Sequence, residues 1–236
     1  MTQAAPGEGK LAVIGGRLED GNLAVYGELH RLAAGRILVF PTASSEPDAV
    51  GAESVQVFRS HGFDAEVVPL TAANARRLAH DRALCDRIAG YGSVYFTGGD
   101  QALITGALAP FGKETRVLKA IRKMQRKGSL VAGSSAGAAI MSEVMFSGGT
   151  SLESATYGVV KDADQPGMLL APGLGFFPWG IVDENWAEAY RTTFRRFVAI
   201  AREQFPRSQI DWCSLKRGAQ RHVDPFYPGG DVVDVV

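Results

Sequence analysis

Short apolar runs alternate along this chain with longer stretches of helical periodicity. Leu11–Ile14 runs into Gly15-Gly16, Ile37–Phe40 into Pro41, Val94–Phe96 into Thr97-Gly98-Gly99 and Leu130–Ala132 into Gly133, and Val67-Val68 precedes Pro69. Runs this short, apolar at consecutive positions and closed by turn residues, predict strands buried on both faces of a parallel sheet. Between them, Val117, Leu118, Ile121 and Met124 keep the i, i+1, i+4, i+7 spacing of one helix face, and Leu84 and Ile88 do the same earlier. Strand and helix in alternation predict an α/β fold, a three-layer sandwich with helices on both faces of a mostly parallel central sheet.

Residues 146–178, rich in Gly, Ser and Pro, read as loops with one short strand. A long helix is expected from Asp183 to Glu203, burying Trp186, Tyr190, Phe194, Phe197, Val198 and Ala201. Val232-Val233 and Val235-Val236 read as a last strand. No linker or repeat divides the chain, so residues 11–236 are expected to form a single domain after a polar, disordered segment at 1–10.

Composition narrows the function classes. The 236 residues carry 25 basic and 25 acidic side chains, a net charge of zero, which argues against a nucleic-acid or anionic membrane surface as partner. The same weak self-repulsion permits a homodimer. No apolar stretch reaches membrane-spanning length and residues 1–10 lack an apolar leader core, so a cytoplasmic location is expected. Cys85 and Cys213 are too few for a disulfide framework or a zinc set, and Cys85 reads as a core residue of its helix. No metal or cofactor is expected. His30, His61 and His80 read as solvent-facing.

Ligands of such sheets bind beyond the carboxyl ends of the strands, which directs attention to the strand-to-helix turns. Gly133-Ser134-Ser135-Ala136-Gly137 follows an apolar run and precedes the helix-forming Ala138–Met141. This is G-x-S-x-G in a strand–turn–helix setting, a nucleophile elbow that would expose the Ser135 hydroxyl above the sheet. Small residues at 133 and 137 let strand and helix pack closely, and the first N–H groups of the helix face a developing oxyanion. Thr97-Gly98-Gly99-Asp100-Gln101 ends a neighbouring run. Gly99 is the natural second oxyanion donor, while Asp100 either caps the next helix or touches substrate.

These pieces, in this order, resemble the cyanophycinase and aspartyl dipeptidase family of serine peptidases. The resemblance is carried by Ile14-Gly15-Gly16, Phe40–Ser44, Phe96–Gln101, Gly133–Ala138, Ala171–Gly175 and Val182-Asp183. It implies a fold like that of class I glutamine amidotransferases, a flavodoxin-like sandwich. It also implies a small peptide substrate cleaved beside an aspartyl residue; in cyanophycinases this is a β-linked Asp–Arg unit. Ser135 would be the nucleophile, and Gly99 and Ala136 the oxyanion donors. Gln101, Asp183, Glu184, Asn185 and Arg191 would line the substrate pocket, with Arg195 one turn beyond Arg191.

The chain also departs from the family. Asp183-Glu184-Asn185-Trp186 stands where the family pattern is like D-Q-H-F, so Asn185 takes the place of the catalytic His. Ile210-Asp211-Trp212 is the nearest match to a later acidic segment, and puts Trp212 in the acid's place. An amide accepts no proton from serine at ordinary pH. Either another group acts as base, with His222, Asp183 and Glu184 as the candidates, or the chain binds its ligand without turnover. Arg191, Arg195 and Arg202 otherwise form a solvated helix face. An amidotransferase would need cysteine at the elbow, and neither Cys85 nor Cys213 is there. An ordinary esterase would want an H-G-G-G-like segment that the chain lacks.

Overall fold

The computed structural model describes residues 9–149, 153, 156–178, 180–182, 220–222 and 232–235. Five parallel strands lead the fold: β1 Lys10–Ile14, β2 Arg36–Phe40, β3 Asp64–Val67, β4 Ser93–Phe96 and β5 Leu130–Ser134. With β10 Val232–Val235 and β9 Gln220–His222 they make a seven-stranded sheet in the order β3-β2-β4-β5-β1-β10-β9, in which only the β10–β9 pair is antiparallel.

Side-chain alternation along these strands builds two cores. Leu11, Val13, Leu38, Phe40, Val94, Phe96 and Val131 point to one face. There they meet α4 (Arg82–Tyr91), α5 (Gln101–Leu108) and α6 (Arg116–Gln125). Ala12, Ile14, Ile37, Val39, Tyr95, Leu130 and Ala132 point to the other, against α1 (Leu23–Ala33) and α2 (Pro47–Ser60). Because both faces are covered, period 2 gives apolar residues at every position, the pattern the sequence carries. The structure is therefore an α/β fold with a mostly parallel central sheet flanked by helices.

The connections place the site. α1 and α2 carry the chain one way along the sheet on one face; α4, α5 and α6 carry it back on the other, as right-handed crossovers require. The direction reverses between β2 and β4. This is the flavodoxin-like order 2-1-3-4-5 with the chain's first strand in the last place, and the crevice opens at the carboxyl ends of β2 and β4 beside β5. There the chain is tied across strands: Thr97 N–H donates to Phe40 O (3.1 Å) and Asp100 N–H to Ala43 O (2.8 Å).

Several expectations change. Residues 146–178 hold more than the one short strand expected among their loops: β6 Val144–Gly148, β8 Met168–Pro172 and β7 Val159–Val160 form a second, three-stranded sheet. Its strands are short and half-exposed, with a register irregularity at Phe146–Gly148, so no clean alternation marks them. β3 starts earlier than Val67-Val68, because Asp64 and Glu66 lie on an exposed sheet edge. Cys85 is half-buried on the flank of the core, where burial raises its thiol pKa. His30 and His61 are half-buried too. His30 packs edge-on against Phe63 and His61 stacks on Tyr26 at 4.0 Å; His80 is exposed. The helix expected at 183–203 lies outside the described residues. Among the described residues no helix is long and apolar enough to cross a membrane.

Candidate functional site

The turn after β5 is tightly constrained. Ser135 has φ 49° and ψ −120°, one of three non-glycine residues with positive φ among the described residues. Gly133 and Gly137 make this possible. A Cβ on Gly133 would stand 2.2 Å from Gly137 O, and one on Gly137 would stand 2.2 Å from Phe96 O. Strand, turn and helix are thus closer than any side chain allows, and the G-x-S-x-G spacing is the sequence image of that approach. The helix itself, α7, is one turn, Ala136–Ala139, starting two residues before the Ala138–Met141 expected from sequence. The Ala136 N–H opens it and has no partner within a helix.

Such a backbone costs a non-glycine residue about 1–3 kcal/mol. A Ser135→Gly variant is therefore expected to raise stability by about 1 kcal/mol, after allowing for glycine's larger unfolded-state entropy. Urea denaturation midpoints of the two proteins check this.

The β4 turn faces the elbow. A Cβ on Gly98 would stand 3.1 Å from Ser135 Cβ, so Gly98 is the glycine pressed against the serine. Gly99, at φ 140°, is required for another reason: its Cβ would stand 2.2 Å from Ala43 O. Asp100 caps α5, accepting from the Ala102 N–H at 2.8 Å. Gln101, on the first turn of α5, donates from Nε2 to Phe146 O at 2.7 Å and ties the β4 turn to the second sheet.

Ser135 is half-buried at the edge of a cavity of about 370 Å³, within the size range of small-molecule sites. The cavity lies on the α1–α2 side, between the turn after β1 and α2. Tyr95 and Ser134 form its buried polar floor, with the Tyr95 hydroxyl 2.6 Å from Ser134 Oγ. Burial pushes the Tyr95 hydroxyl up to about 12. Burial also raises Tyr26 on the adjoining wall, helped by Tyr95 and Asp20. Neither Tyr95 nor Arg17 was found from sequence. The available signal was a tyrosine inside a fully buried strand, whose hydroxyl must find a partner.

The other sequence candidates divide by position. Val182 N–H donates to the buried Ser142 Oγ at 2.7 Å, fixing the chain up to the residue before Asp183. Asp183, Glu184, Asn185, Arg191, Arg195 and Trp212 lie outside the described residues. His222 pairs with Val232, which is level with Leu11 and so with Val131, at the amino end of the parallel strands. That is three strands across and four residues back from Ser135, roughly 14 Å and roughly 13 Å of backbone, so the two are not brought together.

Comparison with known proteins bears on the family and the fold. The model of peptidase family S51 matches residues 11–208. The cyanophycinase of Trichormus variabilis is 33% identical over 151 residues, 64% of this chain and 46% of that protein. The cyanophycinase of Geminocystis herdmanii is 31% identical over 151 residues, 64% of this chain and 50% of that one. The chain thus spans about half the length of the curated relatives it matches. The crystal structure of a peptidase from an acI-B1 Actinobacterium shares the fold, with a TM-score of 0.52 at 20% identity over 73% of this chain and 66% of that chain. With a family model over most of its length and the motifs in family order, the chain belongs to peptidase family S51, the cyanophycinase and aspartyl dipeptidase family.

Proposed function

We propose that the chain is a cyanophycinase-like serine hydrolase that attacks an aspartyl peptide, β-linked Asp–Arg among the candidates, or a related small amide through Ser135. The observation that carries the reading is the Ser135 backbone at φ 49°, ψ −120° between two glycines that admit no Cβ, at the edge of a cavity. Strain of this kind persists where a fold over-determines it, and it clusters at reacting residues. In the proposed step Ser135 Oγ adds to the carbonyl carbon, and the oxyanion is taken by the N–H groups of Ala136 and Gly99. The carbon–nitrogen bond then breaks, the amine leaves with the proton given up by the Ser135 hydroxyl, and water cleaves the acyl ester to release the acid and restore Ser135. The close contact of Gly98 with Ser135 supports a donor on the β4 turn, one residue from Gly99. Gln101, Asp183, Glu184 and Arg191 remain the substrate-binding candidates.

One departure favours a second reading. Asn185 stands where the resemblance expects the catalytic His, and Trp212 where it expects the acid. An elbow without its base keeps only about 10³–10⁴-fold acceleration over water. On this reading the chain binds an aspartyl peptide and turns it over slowly or not at all.

A fluorophosphonate probe separates the two, because phosphonylation reports the nucleophile directly. The hydrolase reading expects labelling of the wild type that vanishes in Ser135→Ala. Aspartyl dipeptide binding by calorimetry, with no labelling and no cleavage, would establish the binding reading instead.

A further inference from the structure

The cavity beside Ser135 holds more polar chemistry than a nucleophile needs. Tyr95 and Ser134 are each 5% exposed, line the cavity and share one hydrogen bond. Two hydroxyls carry two protons, and the bond uses one. Tyr95 donates to Ser134 Oγ, and neither side chain makes a second hydrogen bond among the described residues, so the Ser134 hydroxyl proton is left beside the nucleophile without an acceptor. A buried donor in that state is costly unless a ligand or water meets it.

The rim adds charge of both signs. Arg17 and Asp20 come from the turn after β1, and Glu53 from α2. Among the described residues none of the three makes an ion pair, although all three border one cavity. All three are exposed, where pairing gains little, and the Asp20 backbone is fixed at the rim, since Asp20 O contacts His61 Nε2 at 2.7 Å and the His61 ring is stacked on Tyr26. Leu18 and Phe58 close the space between rim and floor with apolar surface.

We propose that this cavity is a subsite for a zwitterionic amino acid group. Arg17 receives the carboxylate, Asp20 and Glu53 receive the ammonium, and the unspent Ser134 hydroxyl proton is donated to an oxygen close to Ser135. The subsite's part in turnover rests on Ser135 being the nucleophile; the binding itself does not.

The test is calorimetric titration of the full chain with L-leucine, L-leucinamide and N-acetyl-L-leucine. Leucine fits the apolar walls and adds no side-chain charge. The first analogue removes the carboxylate charge and the second the ammonium charge. The expected result is that leucine binds, and that each analogue binds at least tenfold more weakly. Arg17→Ala, an exposed position that leaves the core untouched, should weaken leucine at least tenfold and abolish its advantage over leucinamide. Arg17→Lys should restore part of it, and Ser134→Ala, which removes the unspent donor, should weaken leucine several-fold. Absence of leucine binding by the folded protein overturns the proposal, as does equal binding of the three compounds or indifference to Arg17→Ala. Fluorophosphonate labelling of Ser135 reads the hydrolase proposal separately. Labelling without leucine binding removes the subsite alone, and leucine binding without labelling removes the hydrolase alone.

Discussion

Alanine at Gly137 is expected to destabilise the protein by about 3 kcal/mol and to slow Ser135 phosphonylation about a hundredfold. The added methyl carbon would stand 2.2 Å from Phe96 O and 2.9 Å from Phe96 Cβ. Neither atom is the end of a flexible side chain: both belong to the end of β4, which is bonded to β2 and β5 on its two sides. Relief must come from moving α7 off the sheet, and α7 begins at the residue after the nucleophile. A shift on the order of 1 Å there costs both packing and reaction geometry, which is why stability and labelling should fall together. Gly106→Ala is the matched control. Gly106 lies in α5 with open space where a Cβ would go, so the same substitution should stabilise by up to about 1 kcal/mol and leave labelling unchanged. Urea midpoints with unchanged slope measure the stability changes. A Gly137→Ala protein as stable as the wild type would show that the strand–helix approach is not the constraint described above.

What the sequence revealed follows from how local each constraint is. Strands β1, β2, β4 and β5 were legible because both faces are covered, so each shows as a plain apolar run with a turn residue after it, whereas β3 at the sheet edge, with Asp64 and Glu66, and the polar β9 do not. The elbow was legible because two close approaches, at Gly133 and Gly137, fall within five residues. Gly99 shows the limit of the same reasoning. A glycine there does mark a close contact, but the contact made is with Ala43 O, while Gly98 is the one pressed on Ser135. The second sheet escaped because short half-exposed strands with glycine and serine carry no alternation. The cavity escaped for a deeper reason. Arg17, Glu53, Tyr95 and Ser134 come from four separate elements, and their chemistry exists only where the crossovers bring the carboxyl ends of β1, β4 and β5 under α2.

Histidine at position 185 is expected to raise hydrolysis of an aspartyl dipeptide by about 10² over the wild type, provided Ser135 is the nucleophile and lacks only its base. A well-placed general base is worth about 10²–10⁴. The lower end applies here because Trp212 stands where the resemblance expects the acid that orients the imidazole, and loss of that partner alone is severe in a complete triad. Restoring the acid as well, in Asn185→His/Trp212→Glu, should therefore add about tenfold or more. The pH profile gives the signature. An imidazole base works only when neutral, so the gain should be absent at pH 5, rise through about pH 6.5 and level off above it. Adding Ser135→Ala must return the rate to background, which separates a repaired triad from hydrolysis by a stray imidazole. Comparison of labelling then locates the defect. If Asn185→His leaves labelling and hydrolysis at wild-type levels, position 185 is not where this chain's serine meets its base, and the family's triad has been replaced rather than lost.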